Sequence, residues 1–189
     1  YKRQFLDALE QSGSVGEETG WLPQHLLLER DGTLIGAVPA YLKLHSQGEY
    51  VFDHGWADAF ERAGGQYYPK LQVAVPFTPV TGPRLLAGNA DDAARELLAR
   101  SIIAYVGQTG LSSAHATFVL EKDAAAFAEA GLLERLDIQY HFFNRGYATY
   151  EDFLANLSSR KRKSLKRERR DALTEGIEVE WLSGSTLTE

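Results

Sequence analysis

The period of the apolar positions changes several times along this chain, and each change marks an element. Phe5, Leu6 and Leu9 share one face of a short helix, ended by the Gly/Ser stretch from Ser12 to Gly20. Leu26 to Arg30 (LLLER) predicts a strand that opens apolar and ends charged. Asp31-Gly32 predicts a hairpin turn, with Thr33 to Leu44 (TLIGAVPAYLKL) as the return strand. Pro39 has no N–H for a ladder, so it marks an edge or a bulge in that strand. Ala57 to Ala63 allows about two helical turns, closed by Gly64-Gly65.

Leu71 to Val75 (LQVAV) reads as a buried strand. Pro76 to Arg84 (PFTPVTGPR) cannot be regular, with three prolines and a glycine in nine residues. Asp91 to Gln108 predicts a helix whose face carries Ala94, Leu97, Leu98, Ile102 and Tyr105, stopped by Gly110. Ser113 to Leu120 alternates like a strand, Ala124 to Ala130 reads as a helix before Gly131, and Ile138 to Phe143 (IQYHFF) reads as a strand. Tyr150 to Thr174 predicts one long helix with Gly176 as its stop, and Ile177 to Leu182 (IEVEWL) a strand that begins something unfinished. Strands alternating with helices give an α/β (α+β) class, a sheet with helices on its faces.

At 189 residues the chain can bury a core without staples. It has no Cys, which removes disulfides, thiolate zinc sites and a Cys nucleophile, and favours a cytoplasmic setting. No apolar run reaches membrane-spanning length. The absence of Met and the start at Tyr1 read as part of a longer translated product. No metal-ligand spacing occurs among His25, His45, His54, His115 and His141, so no metal is expected. His115 and His141 lie in apolar strands and read as satisfied core residues. P-loop, GxGxxG, GxSxG and HExxH signatures are absent, as is the Gln/Arg-x-x-Gly-x-Gly loop that cradles coenzyme A.

Charge is unevenly placed. Arg160 to Arg170 (RKRKSLKRERR) holds eight of the twenty Lys and Arg and one acid, Glu168. That block is +7 (8 − 1), while the remainder of the chain is −13 (12 − 25). On a helix, Arg160, Arg162, Lys163, Lys166, Arg167, Arg169 and Arg170 fall on one half; Leu154, Leu157, Ser164, Leu165, Glu168 and Ala172 fall on the other. Like charges at i,i+3 and i,i+4 cost the isolated helix ~2 kcal/mol, which a bound anion would relieve. Arg160, Arg162, Lys163, Lys166 and Arg167 are the candidate anion-binding set. A solvated connector, neutralised by acids elsewhere, accounts for the same pattern.

A second constellation runs from Val51 to Arg84. Rigid, aromatic and polar residues concentrate there, and Asp53, His54, Trp56, Tyr68, Lys70, Thr78, Thr81, Gly82 and Arg84 are the candidate substrate-binding set. Prolines hold the loop in one shape, and Gly82 would let backbone approach a ligand. Asp53 and His54 are adjacent, so in a strand they point to opposite faces and form no acid–base dyad unaided. No catalytic residue emerges from these spacings.

Two segments resemble a known family. The run LSSRKRKSLKRERRDALTEGIEVEWL from Leu157 is similar to the entry into the second domain of FemAB-type transferases. The segment from Tyr41 to Leu86, YLKLHSQGEYVFDHGWADAFERAGGQYYPKLQVAVPFTPVTGPRLL, looks like the FemAB-like family of peptidoglycan biosynthesis or recognition, within the Gcn5-related N-acyltransferase (GNAT) superfamily. The resemblance implies a GNAT-like acyl-CoA N-acyltransferase fold, a mixed, mostly antiparallel sheet flanked by helices, as the first of two tandem domains. Residues 1–149 would form the first domain, 150–175 a basic connecting helix, and 176–189 the first strand of an incomplete second domain. It implies an N-acyl- or aminoacyltransferase acting on a peptidoglycan precursor or another amine acceptor. No cofactor would be bound tightly; acyl-CoA or aminoacyl-tRNA would be the co-substrate, with tRNA reaching the basic helix. The donor pocket would lie mostly in the second domain, leaving this stretch inactive alone. His54 stands where relatives would carry an aromatic residue. A non-catalytic module that binds a glycopeptide or nucleotide-sugar is the alternative, and a structural or interaction domain is the third.

Overall fold

The computed structural model describes residues 3–88, 91–174, 176–184 and 186. The chain divides into two compact units, Tyr1–Leu136 and Asp137–Glu189. In the first unit, α1 (Arg3–Gln11) leads through glycine-rich turns into β1 (Trp21–Pro23), then β2 (Leu26–Arg30), β3 (Thr33–Val38) and β4 (Ala40–Lys43). There follow α2 (His54–Arg62), β5 (Lys70–Val73), β6 (Leu86–Ala87), α3 (Asp92–Thr109), β7 (Ala114–Ala116) and α4 (Glu121–Glu129). The strands make two sheets, ordered β1-β4-β5-β7 and β2-β3-β6. Every pairing is antiparallel except β5 with β7. The class is the expected α+β, two mostly antiparallel sheets with helices alongside.

Pro39 does more than bulge a strand. The predicted single strand from Thr33 to Leu44 is two, separated at Pro39, and each joins a different sheet. A residue without an N–H ends the ladder of β3 on β2 and releases the chain to pair β4 with β1 and β5. The strand bulge lies one strand earlier, between Leu28 and Glu29.

The four-stranded sheet has two buried faces of opposite character. Ala40 and Leu42 of β4, Leu71 and Val73 of β5, and Ala114 and Ala116 of β7 join a core that includes Leu98, Ala99 and Ile102 of α3 and Phe127 of α4. On the other face, alternation places Trp21, Tyr41, Lys43, Lys70, Gln72 and His115. Helix α3 also packs on β2, β3 and β6, and is fixed at both ends. The Asp91 side chain accepts from Ala94 N at 2.9 Å, and Gly110 adopts a left-handed φ of 68°. The predicted face of α3 holds for Ala94, Leu98 and Ile102; Leu97 is 48% exposed, and Ala99 takes its place inside. The predicted strand from Ser113 shortens to β7, with an isolated bridge between Gly82 and Val119 beyond it.

The second unit is built around two helices. The stretch from Tyr150 to Thr174 is not one helix but α5 (Tyr150–Ala155) and α6 (Ser159–Asp171). Thr149 and Asp152 form a capping box on α5, and Ser158 caps α6 by accepting from Lys161 N at 3.4 Å. Leu157-Ser158-Ser159 therefore carries a helix start inside a helical pattern. Ile138–Phe143 and Ile177–Leu182, both predicted strands, form no strand among the described residues. His141 is exposed there, bonded to Gln139 at 3.3 Å, and is not a core residue.

Two glycines test this packing in opposite directions. Gly48 has φ +82°, and a Cβ there would lie 2.8 Å from the Phe77 ring and 3.3 Å from Trp21. Gly107, inside α3, has open space around it and an ordinary φ. Gly48→Ala is expected to lower Tm by several degrees, and Gly107→Ala to raise stability by about 0.5–1 kcal/mol, both read by thermal unfolding.

Candidate functional site

Two lysines face each other across β4 and β5. Lys43 and Lys70 are directly opposed in the antiparallel register, and both are buried. Like charges so placed repel, and burial removes the water that would screen them. The chain answers with the segment between β4 and α2. Ser46, Glu49 and Asp53 turn inward, while Tyr50 and Phe52 turn out. This inverts the usual pattern, putting polar groups inside and aromatic rings outside.

Lys70 gathers the inward groups. Its Nζ lies 2.7 Å from Asp53 Oδ2, 2.9 Å from Glu49 Oε1 and 2.9 Å from Ser46 Oγ. The Tyr67 hydroxyl donates to Asp53 Oδ2 at 2.8 Å, and the Tyr68 hydroxyl meets Ser46 Oγ at 2.7 Å. Glu49 Oε2 and Asp53 Oδ1 have no hydrogen-bond partner among the described residues. Burial pushes the Asp53 carboxyl upward, but hydrogen bonds from Lys70, Ser46 and Tyr67 and the charge of Lys70 outweigh it and hold it at about 2. Burial, and then the bond to Asp53, raises Tyr67 above the usual phenol range.

Lys43 receives less. Its Nζ sits 3.6 Å over the Trp21 ring and donates to Gln47 O at 2.9 Å, with His45 Nδ1 at 3.4 Å. Neither acid is within ion-pair distance of it among the described residues. Burial lowers its pKa to about 7, with Glu49 and Asp53 opposing the shift and Lys70 adding to it. Trp21 binds this end together: Nε1 donates to Gln47 O at 3.1 Å, and its ring meets Tyr41 at 5.5 Å and Phe77 at 5.4 Å. His115 lies across β5 with its ring on Ser113 Oγ at 2.8 Å. Burial and then the charge of Lys70 lower it to about 4. Tyr50, Phe77 and Phe118 hold left-handed φ values of 57°, 58° and 53°, sterically costly for bulky residues.

The predicted substrate-binding residues separate into three groups. Asp53, Lys70 and Tyr68 join the buried centre. His54 and Trp56 stand exposed on the first turn of α2, Trp56 at 68% beside Phe52 at 80%. The rest of the set belongs to the proline–glycine loop. Arg84 is fully buried: its Nε donates to Thr117 O and its Nη2 to Val80 O, both at 2.9 Å, while its backbone N donates to Asp123 Oδ2 at 2.5 Å. It clamps the loop. Gly82 is spent on a backbone bridge, its N donating to Phe118 O at 3.0 Å. Thr78 Oγ1 accepts from Val80 N at 3.3 Å, and Thr81 is exposed. Lys43, Ser46, Glu49 and Tyr67 complete the centre and were absent from the predicted set. Of these, Lys43 alone carried a signal, as a lysine inside the apolar run AYLKL.

In the second unit, Arg160, Lys163, Lys166 and Arg167 are exposed along α6. Arg162 is half-buried, its Nη1 donating to Ala155 O at 3.4 Å. No group of His, Asp and Glu suited to a metal ion occurs among the described residues, and none of their helices is long and apolar enough to cross a membrane.

The first unit is thus an α+β fold with a buried lysine–carboxylate centre and a separately clamped proline–glycine loop. The whole chain, residues 1–189, matches the FemAB_like family, described as peptidoglycan biosynthesis/recognition, and the chain belongs to that family. The family is related to the GNAT superfamily, in agreement with the fold. No curated protein and no solved structure matches the chain.

Two outcomes follow from the centre. Lys70→Met strands two buried carboxylates and is expected to cost about 3–5 kcal/mol in urea unfolding. Lys43 titrates lower in the folded chain than its ordinary 10.5, so between about 7 and 10.5 the unfolded chain holds a proton that the folded chain has released. Its contribution to stability therefore rises with pH through that window. Asp53, depressed to about 2, gives stability that is present above 3.8 and lost as pH falls toward 2. Lys43→Met is expected to flatten the alkaline rise and leave the acid arm, measured as urea midpoints from pH 2 to 10.

Proposed function

We propose that this chain forms part of an N-acyl- or aminoacyltransferase that modifies an amine of a peptidoglycan precursor. The observation that carries this reading is the buried centre of Lys43, Lys70, Glu49 and Asp53 in a chain that belongs to a peptidoglycan-linked family. In such a transfer the acceptor nitrogen attacks the acyl carbonyl. The N–C bond forms, the bond to the donor's thiol or ribose oxygen breaks, and the nitrogen's proton leaves as the donor oxygen or sulfur gains one. The nitrogen must be neutral to attack, so a group that exchanges protons near neutral pH is useful. Lys43, at about 7, has that property, and Asp53 with Lys70 holds a fixed charge pair beside it. Acyl-CoA or aminoacyl-tRNA is the co-substrate class. The acceptor's sugar and peptide would meet the Phe52–Trp56 side of α2.

A second reading has its own observation. Phe52 and Trp56 are exposed aromatic rings, and the ionic centre beneath them is closed to solvent. A module that stacks a sugar ring on those aromatics without chemistry fits that arrangement.

Mass spectrometry of a nucleotide-linked peptidoglycan precursor, incubated with the protein and either acyl-CoA or charged tRNA, tests both readings. Transfer predicts a mass gain of one acyl or aminoacyl group, with Trp56→Ala raising KM about tenfold at unchanged kcat. Precursor binding in calorimetry with no mass gain from any donor would replace transfer with recognition. Absence of both would reject the two readings together.

A further inference from the structure

Helices α3 and α4 pack together over the apolar face of the four-stranded sheet. An open groove of about 380 Å³ lies where they meet. Arg100, Ile103 and Ala104, at i, i+3 and i+4 on one face of α3, line one side of it. Glu129, the last residue of α4, and Ala130, its cap, line the other. The lysine centre lies on the opposite face of the sheet, so it takes no part in this groove.

Arg100 and Glu129 line one groove, yet neither has an ion pair or a side-chain hydrogen bond among the described residues. Glu96 stands four residues before Arg100, the spacing of a helical ion pair, and does not pair with it either. Glu129 is also set against the dipole of its own helix. Helix α4 has Glu121 and Asp123 in its first turn, where acids are favourable, but it ends on an acid with no base in its last turn. A carboxylate in that position gains from a cation that arrives from outside. Between the two charges the lining is apolar. Ile103 is 42% exposed, Ala104 is exposed, and Ala130 is half-buried against the core.

We propose that this groove binds a free apolar α-amino acid as its zwitterion, with the carboxylate on Arg100, the ammonium on Glu129 and the side chain against Ile103, Ala104 and Ala130. An α-amino acid carries a carboxylate, an ammonium and a side chain on one carbon, and the groove offers a group for each. The guanidinium fork matches a carboxylate through two parallel hydrogen bonds, and an ammonium donates to the Glu129 carboxylate. A ligand with a single charge leaves the other lining charge unanswered, and a peptide carries its terminal charges on different residues. The volume lies at the small end of the range for small-molecule sites, which suits one amino acid. The site stands on this geometry and does not rest on the transfer reaction.

Nuclear magnetic resonance titration of the isotope-labelled full chain with L-leucine tests it. Leucine is expected to shift the amide signals around Arg100 and Glu129. Isocaproate, which is leucine without its ammonium, and isoamylamine, which is leucine without its carboxylate, are each expected to bind at least about tenfold more weakly. Glycine, without the side chain, is expected to bind about fivefold more weakly. Glu129→Gln is expected to weaken leucine about tenfold and leave isocaproate unchanged, and Arg100→Gln to weaken leucine about tenfold and leave isoamylamine unchanged. Lys122→Gln, in the first turn of α4 and outside the groove, is expected to change leucine by less than about twofold. These three residues are exposed, and circular dichroism checks that each variant folds. Equal binding of leucine, isocaproate and isoamylamine, or no shifts at millimolar leucine, overturns the proposal. So does a non-additive loss of stability in Arg100→Gln, Glu129→Gln and their double variant, since the two side chains would then pair with each other.

Discussion

The opposition of Lys43 to Lys70 across two buried strands constrains everything around it in the first unit. Two ammonium groups cannot share a dry sheet face without partners, and the partners come from the segment that joins β4 to α2. Its acids point inward because that is where the charge is. Its aromatics, Tyr50 and Phe52, are left on the exposed side. Ser46 of the same segment accepts from Lys70 and meets the Tyr68 hydroxyl, and the Tyr67 hydroxyl donates to Asp53. The asymmetry of the result is its chemical content. Lys70 takes both acids, whereas Lys43 is left with a carbonyl, a ring and a proton it holds loosely near neutral pH.

A neighbouring arrangement looks similar in composition but serves a different end. Arg84, Asp123 and Arg95 are also buried and charged, yet Arg84 and Asp123 bond to backbone groups, and Arg95 pairs with the carboxylates of Asp92 and Asp123 at the starts of α3 and α4. Asp123 accepts from the backbone N–H groups of Arg84 and Leu85, pinning the proline–glycine loop to the first turn of α4. Every donor of Arg84 that reaches a carbonyl is one withdrawn from a ligand. The contrast separates a fastening from a centre by counting where the hydrogen bonds go.

Local elements were legible where a cap or a period marks them. Asp91 and Gly110 bound α3 within a residue of expectation, and Asp31-Gly32 turns the hairpin between β2 and β3. The polar centre was half legible. Asp53, Tyr68 and Lys70 cluster within a short stretch that looked chemical. Lys43 lies far from Lys70 in sequence, and no local pattern reveals which strands pair. Glu49 sat unremarked because its inward direction is set by a tertiary charge, not by periodicity. The split of α5 from α6 was written in Ser158, a helix cap whose signal a continuous helical pattern had masked. Ile138–Phe143 alternates like a strand, but alternation specifies a face and not a neighbouring strand, and the segment forms no strand among the described residues.

Opposed lysines also act as a key for strand alignment. Sliding β4 by one residue against β5 would turn Lys43 toward Leu98 and the apolar core, an exchange that sheet packing rejects. Sliding by two would keep the faces but carry Lys43 past Lys70, and the segment bearing Glu49 and Asp53 would be drawn off the ammonium that neutralises them. Apolar contacts alone tolerate such a two-step error, since one aliphatic side chain replaces another. Charge does not, so the repulsive pair and its acids together single out one alignment from the family that the hydrophobic pattern allows.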